Sequence, residues 1–408
     1  MASVCDVCVT SKHYHLESPP PSSLRLSRAM LFTPGRVRAP LVSRCSNKLT
    51  AAELLPAVAG ETSDSSRKND RLEVRIALPS KGRMAEDTLN LFKECQLSVC
   101  KPNPRQYVAS ISSLPGVEVW FQRASDVVRK IRTGDVDLGV VGYDMVREYG
   151  EDDDDLVIVH DALEFGECHL AIAIPKYGIF SDVSSLAELC AMPQWSAERP
   201  LRIVTGYRHL GKQFIEKSGL KHVQLLTADG ALEAAPAMGT ADAIIDLVST
   251  GTTLRENNLK EINGGTILNS QGVLVASKNS LHHRKTALQI TREILERIEA
   301  YLRAKDQFLI TANMRGKSKD EVANLILEGT NFHGLQGPTI NTVFTKKNGK
   351  VQEDYCAVVI CVTKKYLYDA VKQLRKVGGS GVLVSPLTYI FDEEPARVQK
   401  LMKKLNCG

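Results

Sequence analysis

A strand, a hydroxyl-rich turn and a short helix follow one another within this 408-residue chain, and they constrain its fold more than any other stretch. Residues 241–248 are apolar except for Asp242 and Asp246, which predicts a buried strand. Residues 249–253 then read Ser-Thr-Gly-Thr-Thr, and a helix is predicted at 254–257. Backbone N–H groups at a helix start lack partners within the helix, so this turn predicts an anion site whose usual occupant is phosphate.

The two acidic residues of this strand are predicted to face the same way. Side chains alternate along a strand, so Asp242 and Asp246 share a face, and Asp246 is nearer the carboxyl end, where open α/β sheets bind ligands. A carboxylate beside a phosphate site suits a ribose 5-phosphate, because it accepts hydrogen bonds from the ring hydroxyls. The alternative is a core strand and a capped turn that bind nothing.

Ten residues in and around this turn stand where the signature of the ATP phosphoribosyltransferases places them. They are Glu233, Gly239, Ala241, Ile244, Asp246, Leu247, Thr250, Gly251, Thr253 and Leu254. The chain resembles this family from about residue 72 to its C-terminus, and it is most similar to the long form of the plant type. The resemblance implies the first committed step of histidine biosynthesis, in which N1 of ATP displaces pyrophosphate from phosphoribosyl pyrophosphate. Thr252 occupies a position that the family leaves variable.

The net charge of +5 comes mostly from the N-terminal residues. Residues 1–60 carry seven Lys and Arg against three Asp and Glu, so the remainder is close to neutral and shows no basic footprint for nucleic acid. This segment is rich in Ser, Pro and Arg, which is typical of a transit peptide with its linker, and the plant resemblance favours the plastid over the mitochondrion. A plain disordered tail is the alternative. No apolar run is long enough to span a bilayer, so no membrane partner is predicted.

Basic residues follow two predicted strands of the first half. Lys81, Gly82 and Arg83 form a turn before a helix, where the helix dipole disfavours positive charge unless a bound polyphosphate compensates it. Arg123 follows the next such strand. A solvated basic turn and a surface ion pair are the ordinary alternatives. The resemblance implies that these residues contact the nucleotide or its phosphates.

Two further positions are predicted in the cleft. Residues 205–210 resemble the Thr-x-Tyr-x-x-Leu element of the family, which makes Tyr207 a candidate substrate contact; a packed aromatic is the alternative. Glu233 is predicted in the first turn of a helix that begins at residue 230, where it either complements the helix dipole or lies in a polar cleft.

Strand, turn and helix alternate through the body of the chain, which favours a parallel α/β architecture. The resemblance implies a bilobal core similar to the type II periplasmic binding proteins, followed by a C-terminal ferredoxin-like (ACT-like) α+β domain. We place the first catalytic lobe at 71–165 with 268–304, the second at 166–267 and the C-terminal domain at 305–408. Ligands would bind in the cleft between the lobes.

The C-terminal domain is predicted from the order of its elements, which is β, α, β, β, α, β. Its central strand near residues 356–362 is aliphatic, whereas an RNA-binding sheet of this type needs exposed aromatic side chains. The resemblance implies that this domain binds histidine as a feedback inhibitor and supports a homo-oligomer, either a dimer or a hexamer. The alternative is an oligomer contact without a ligand.

The reaction implied by the resemblance needs positioning and charge compensation more than a protein nucleophile, because N1 of adenine already carries a lone pair. Residues Ser249, Thr250, Gly251, Thr252 and Thr253 would hold the 5-phosphate of the ribose. Asp246 and Asp242 would contact the ribose hydroxyls, and Mg²⁺ with Lys81, Arg83 and Arg123 would hold the pyrophosphate.

Two other functions remain open at this stage. A non-catalytic binder on the same bilobal fold would bind a small molecule without turnover. A phosphoribosyltransferase for a free base would normally carry two adjacent acids at its phosphoribosyl turn, whereas this strand has Ile245 before Asp246.

Overall fold

The computed structural model describes residues 71–150, 154–332 and 334–405. The predicted transit segment at residues 1–60 lies outside these ranges. Within them, no helix combines the length and the apolar character that crossing a membrane would require.

The first lobe opens with an apolar strand that is buried on both faces, as expected for the centre of a parallel sheet. Its elements, in chain order, are β1 Val74–Pro79, α1 Arg83–Glu94, β2 Val99–Cys100, β3 Val108–Ile111, β4 Val117–Gln122, α2 Ala124–Arg132, β5 Leu138–Gly142, α3 Tyr143–Tyr149 and β6 Leu156–His160. Strand β1 pairs in parallel with both β4 and β5. The turns that follow these three strands therefore meet at one edge of the sheet.

The second lobe contains a sheet of five strands. Its elements are β7 Cys168–Pro175, α4 Leu186–Ala191, β8 Leu201–Thr205, α5 Arg208–Ser218, β9 Val223–Thr227, β10 Ala243–Val248, α6 Thr252–Glu256 and β11 Leu259–Ser270. The predicted strand at 241–248 corresponds to β10 but begins two residues later, at Ala243, and the predicted helix at 254–257 begins two residues earlier. The helix expected from residue 230 is a single 3-10 turn, Leu232–Ala234.

The chain returns to the first lobe through β12 Gly272–Ser277, α7 Lys278–His283 and α8 Lys285–Ala304. We expected the return at residue 268, but β11 pairs with β7 as far as Ser270, so the crossing lies at Gln271. The helices α7 and α8 are separated at Arg284. Its guanidinium donates to Asp137 and to the carbonyls of Arg71 and Glu73, which holds the break in place.

Five strands of each lobe share one arrangement. The first sheet has the order β2-β3-β4-β1-β5-β12-β6, and the second, read from its other edge, has β9-β8-β10-β7-β11. The strands β4-β1-β5-β12-β6 of the first sheet therefore correspond to the five strands of the second. In each sheet one strand, β12 or β7, arrives from the other lobe and pairs antiparallel with both its neighbours. Two crossings and this shared order confirm the predicted bilobal architecture of the type II periplasmic-binding-protein class.

The C-terminal domain follows with β13 Gln307–Arg315, α9 Lys319–Gly329, β14 Thr339–Lys347, β15 Lys350–Thr363, α10 Leu367–Lys376 and β16 Ser380–Pro386. Its antiparallel sheet has the order β14-β15-β13-β16, as expected for the ferredoxin-like arrangement. Buried residues of α9 and α10 pack with the inward side chains of β13 and β15 to form a separate core.

One further helix, α11 Ala396–Lys404, was not expected from the sequence. Its buried residues Val398, Leu401 and Leu405 belong to the core of the first lobe, together with α8 and β1. The segment that we assigned wholly to the C-terminal domain, 305–408, therefore ends with a helix that packs on the first lobe. Apolar residues at spacings of three and four give α11 the single apolar face that this packing requires.

Candidate functional site

A cavity of about 330 Å³ lies where the two lobes meet, at the carboxyl ends of the parallel strands. Its walls include three of the predicted residues: Lys81 after β1, Arg123 after β4, and Tyr207 after β8. The strands β1, β4 and β8 end at this edge, so the fold brings together residues that are far apart in sequence. This is the position at which open α/β sheets bind ligands.

The turn between β1 and α1 has a backbone conformation that favours glycine at residue 82. Gly82 has a φ of 75°, a left-handed conformation that other residues rarely adopt, and it precedes a helix without any side-chain cap. Lys81 lines the cavity, whereas Gly82 and Arg83 are exposed and do not line it. The helix therefore begins with a positive charge at Arg83, and Glu86 is the acidic residue of its first turn.

Arg123 occupies the corresponding position before α2. Its backbone is extended at the start of the helix, and its side chain reaches the cavity. Among the residues that the structure describes, no carboxylate forms an ion pair with it. Its guanidinium thus remains available to an anion, and the ordinary alternative of a surface ion pair does not account for it.

Tyr207 connects the two lobes through a buried carboxylate that we had not assigned a role. The Tyr207 hydroxyl donates to Oδ2 of Asp144 at 2.8 Å, and the Ser270 hydroxyl donates to Oδ1 at 2.7 Å. Asp144 begins α3 in the first lobe and is only 4% exposed. Burial, and after it the negative charge of Asp144, raises the pKa of Tyr207 above its usual range. Tyr207 therefore acts as a hydrogen-bond donor at neutral pH.

Glu148, one helical turn after Asp144, makes a second contact between the lobes. Its carboxylate oxygens accept from the backbone N–H groups of His209 and Leu210 at 2.9 and 3.0 Å. These are N–H groups at the start of α5, which otherwise has no side-chain cap. A helix of the first lobe therefore caps a helix of the second. The pattern of an acid at positions i and i+4 was visible in the sequence, but the partner was not.

Asp246 lies at the carboxyl end of β10, as predicted. Burial raises its pKa to about 6, and the charge of nearby Glu233 adds to this against the hydrogen bond from the N–H of Leu247. Glu233 stands in the 3-10 turn Leu232–Ala234 and is half-buried. The two predicted cleft carboxylates are therefore close enough to interact electrostatically.

The turn after β10 is held in one conformation by its own polar groups. The hydroxyls of Thr250 and Thr252 are 3.0 Å apart, and Gly251 has a φ of 67°. Arg255, which we did not predict, donates to the carbonyl of Thr250 at 3.0 Å and to the hydroxyl of Thr252 at 2.9 Å. The turn is thus preformed and carries a guanidinium beside its hydroxyl groups.

Asp242 does not belong to the turn after β10. We predicted that it contacts the ribose, but its carboxylate is bound by an arginine instead. Both its oxygens bind Arg202: Nε and Nη2 donate at 3.0 and 2.9 Å, and the backbone N–H donates at 2.9 Å. It precedes β10 and stands four residues from Asp246, or about 13 Å along an extended strand. It therefore lies before the amino end of the strand, whereas Asp246 lies near the carboxyl end.

A second, larger cavity of about 890 Å³ adjoins the turn after β10, at Ser249. Ser249 and His169 of the second lobe line it together with Tyr143 of the first lobe and Gln271 of the crossing. Basic residues of α11 complete its wall. In the described part of the chain, several predicted site residues line neither of the two cavities. They are Gly82, Arg83, Glu233, Asp242, Asp246 and Thr250 to Thr253.

Comparison with known proteins assigns the chain to a family. A family model described as ATP phosphoribosyltransferase matches residues 123–300, and a model described as the C-terminal domain of the same protein, HisG, matches residues 304–389. The helix α11 lies beyond both matches.

Two relatives from Arabidopsis thaliana cover most of the chain. ATP phosphoribosyltransferase 1, chloroplastic, is 55% identical over 95% of this chain and 93% of its own length. ATP phosphoribosyltransferase 2, chloroplastic, is 57% identical over 89% of this chain and 88% of its own. Their location confirms the prediction of the plastid. A solved ATP phosphoribosyl transferase (HisG:HisZ) complex from Thermotoga maritima aligns with 55% of this chain and 98% of its own at 22% identity and a TM-score of 0.44.

The two family models and the two Arabidopsis relatives confirm the resemblance inferred from the turn after β10. The chain therefore belongs to the ATP phosphoribosyltransferase family of histidine biosynthesis, in the long form of the plant type.

Proposed function

We propose that this enzyme joins N1 of the adenine of ATP to C1 of phosphoribosyl pyrophosphate, releasing pyrophosphate and forming N1-(5-phosphoribosyl)-ATP. The observation that carries this proposal is the pairing of a preformed hydroxyl-rich turn with Asp246 directly before it on β10. A turn that can hold a phosphate and a carboxylate that can accept from hydroxyls are the two groups that a 5-phosphoribosyl unit requires.

The second lobe would bind the phosphoribosyl unit. Backbone N–H groups and hydroxyls from Ser249 to Thr253 would hold the 5-phosphate, with Arg255 adding positive charge. The ionised carboxylate of Asp246 would accept a hydrogen bond from a ribose hydroxyl. Because its pKa is raised to about 6, this contact would form above that pH. Glu233, close to Asp246, is the candidate for a second hydroxyl contact.

The first lobe would bind the pyrophosphate and the nucleotide. Lys81 and Arg123 line the cavity between the lobes, and Arg83 adds a third positive charge at the start of α1. As pyrophosphate leaves C1, negative charge increases on the leaving group and positive charge on the ribose. These basic side chains stabilise the first, and the carboxylate of Asp246 stabilises the second.

The proposed Mg²⁺ fits the donor groups of this site. The described residues contain no group of three or more His, Cys, Asp or Glu that could hold a metal ion by themselves. Mg²⁺ is commonly held by one or two carboxylates together with substrate phosphates, and Asp246 and Glu233 are the neighbouring carboxylates that can serve. When bound with pyrophosphate, Mg²⁺ would supply charge compensation for the leaving group.

The C-terminal domain is proposed to bind histidine as a feedback inhibitor and to join subunits in a dimer or hexamer. One face of its sheet is covered by α9 and α10. The other face carries Thr311, Val359 and Leu383 side by side on three strands, and Leu383 is 67% exposed. A row in which two apolar side chains flank a threonine suits contact with another subunit.

An assay by mass spectrometry tests the reaction. The full chain is incubated with ATP, phosphoribosyl pyrophosphate, Mg²⁺ and inorganic pyrophosphatase, with and without histidine. An adduct of ATP with one ribose phosphate is expected, and histidine should suppress it. Replacing ATP with free adenine or orotate should give no adduct.

The absence of any adduct from well-folded protein would contradict the proposal and favour a small-molecule binder. An adduct formed with a free base in place of ATP would assign the other class of phosphoribosyltransferase. An adduct that histidine does not suppress would support the reaction but contradict the proposal that the C-terminal domain binds histidine as an inhibitor.

A further inference from the structure

The helix α11 is fixed firmly against the first lobe, although it follows the C-terminal domain in sequence. Val398, Leu401 and Leu405 are almost completely buried in the core of that lobe. The guanidinium of Arg397 donates to Asp161 and to Glu299, both at 2.8 Å. These contacts determine which face of α11 points away from the core.

The basic face of α11 forms one wall of the larger cavity. Lys400 and Lys404 are one helical turn apart and both line it, across from Ser249 of the phosphate turn. Its volume of about 890 Å³ is within the range of roughly 300–1,000 Å³ that small-molecule sites occupy. A ligand in this cavity would therefore touch both the phosphate turn and α11.

The charges around the cavity are mixed, and its Lys and Arg side chains all lie on α11. Three basic residues, Arg397, Lys400 and Lys404, and two acidic residues, Asp161 and Glu167, line it. Arg397 is already neutralised by two carboxylates, and Lys400 is 4.0 Å from Asp161. In the part of the chain that the structure describes, Lys404 has no carboxylate within ion-pair distance.

We propose that Lys400 and Lys404 extend the substrate site and contact the 5-phosphate of a substrate whose ribose 5-phosphate lies at Ser249. This inference rests on the proposed function and adds a substrate-binding element from outside the two ranges that the family models match. The lysines act as positive charges that attract and position this phosphate, and no covalent step involves them.

The simplest alternative is that these lysines only complement the dipole at the carboxyl end of α11. Lys403 provides the control, because it belongs to the same last turn, is exposed and does not line the cavity. A dipole effect would be shared by Lys403 and Lys404, whereas substrate binding would involve Lys404 alone of these two.

The test compares Lys403→Ala with Lys404→Ala and with the double variant Lys400→Ala/Lys404→Ala. The double variant should raise KM for phosphoribosyl pyrophosphate or ATP by about tenfold with kcat little changed, since uniform binding is lost. Its KM should also depend less on ionic strength than that of the wild type, because an exposed charge contact is screened by salt. Lys403→Ala should match the wild type in both.

Calorimetric titration of the same proteins with ribose 5-phosphate gives a readout that does not need turnover. Ribose 5-phosphate should bind the double variant more weakly than Lys403→Ala. Equal affinities and equal KM values for the double variant and Lys403→Ala would overturn the inference. An inactive wild type would instead contradict the proposed function, while the calorimetric comparison would still decide the role of the lysines.

Discussion

The two ends of β10 carry the same residue type in opposite circumstances. Asp242, at the amino end, is bound through both oxygens by Arg202. Asp246, at the carboxyl end, accepts a backbone hydrogen bond from Leu247, and burial raises its pKa to about 6. Asp242 precedes the strand and Asp246 lies within it, so the difference comes from their position along the chain. A carboxylate paired with an arginine supports the fold, whereas a half-buried carboxylate that pairs with no cation of the described residues is a candidate for ligand binding.

The largest expected effect comes from Asp246→Asn. The amide keeps the shape of the side chain but cannot compensate positive charge on the ribose, so kcat/KM should fall by about 10²-fold or more. The fold should be retained, because the variant removes a half-buried charge that pairs with no cation among the described residues. Steady-state kinetics with both substrates and a far-ultraviolet circular dichroism spectrum measure the two properties.

The pH profile provides the control for this variant. In the wild type, kcat/KM should fall on the acid side with a pKa near 6, because only the ionised carboxylate accepts from a hydroxyl. Full activity in Asp246→Asn, or the same acid limb in both proteins, would remove Asp246 from the mechanism.

The second prediction concerns stability at the same position. The pKa of Asp246 rises from 3.8 to about 6 on folding, so its stabilising contribution is complete below a pH of about 4 and is lost as the pH rises through 6. Between these limits, the free energy of unfolding of the wild type relative to that of Asp246→Asn should fall by about 3 kcal/mol. Urea unfolding of both proteins across this range measures it. A constant difference would show that Asp246 is not buried as described.

The third prediction addresses the other end of the strand. Asp242→Ala should lower the free energy of unfolding by about 1–2 kcal/mol, since it removes charged hydrogen bonds that are partly exposed to solvent. The activity of the folded protein should change little. Adding Arg202→Ala should cost less than the sum of the single variants, because the two residues form one contact. A large loss of activity at unchanged stability would restore Asp242 to the substrate site.

The contrast between these residues shows what local sequence can predict here. Alternation placed Asp242 and Asp246 on one face, and the glycine and hydroxyls identified the turn after β10. Neither pattern could indicate Arg202, which is forty residues away in sequence and meets Asp242 only because β8 and β10 are neighbours. Strand order, which depends on long-range packing, decided which carboxylate was paired.

The same limit applies to the contacts between lobes and to α11. Asp144 and Ser270 are 126 residues apart and meet because the chain crosses between the lobes at Gln271. The apolar face of α11 predicted that it packs against something, but the partner, the core of the first lobe, depends on where the preceding domain delivers the chain. Periodicity identifies such an element, and only the tertiary structure identifies what it contacts.

The smallest expected effect is at Glu148, a carboxylate that is paired like Asp242 but joins the two lobes. Glu148→Ala removes the cap from the N–H groups of His209 and Leu210, which should cost about 1 kcal/mol of stability. It should also raise KM severalfold, because α5 follows the turn that holds Tyr207 against Asp144. Glu216→Ala, an exposed acid on α5 whose ion pair among the described residues is with Lys212 of the same helix, is the matched control for charge.

Glu148→Gln sharpens this comparison, because the amide keeps one acceptor oxygen and should restore part of the loss in both stability and KM. Small-angle X-ray scattering of the wild type and Glu148→Ala, with and without substrates, reports the separation of the lobes. If Glu148→Ala loses stability but keeps its KM and its scattering profile, the cap stabilises α5 alone. In that case the position of Tyr207 depends on Asp144, and the buried hydrogen bond between them is sufficient to align the two lobes.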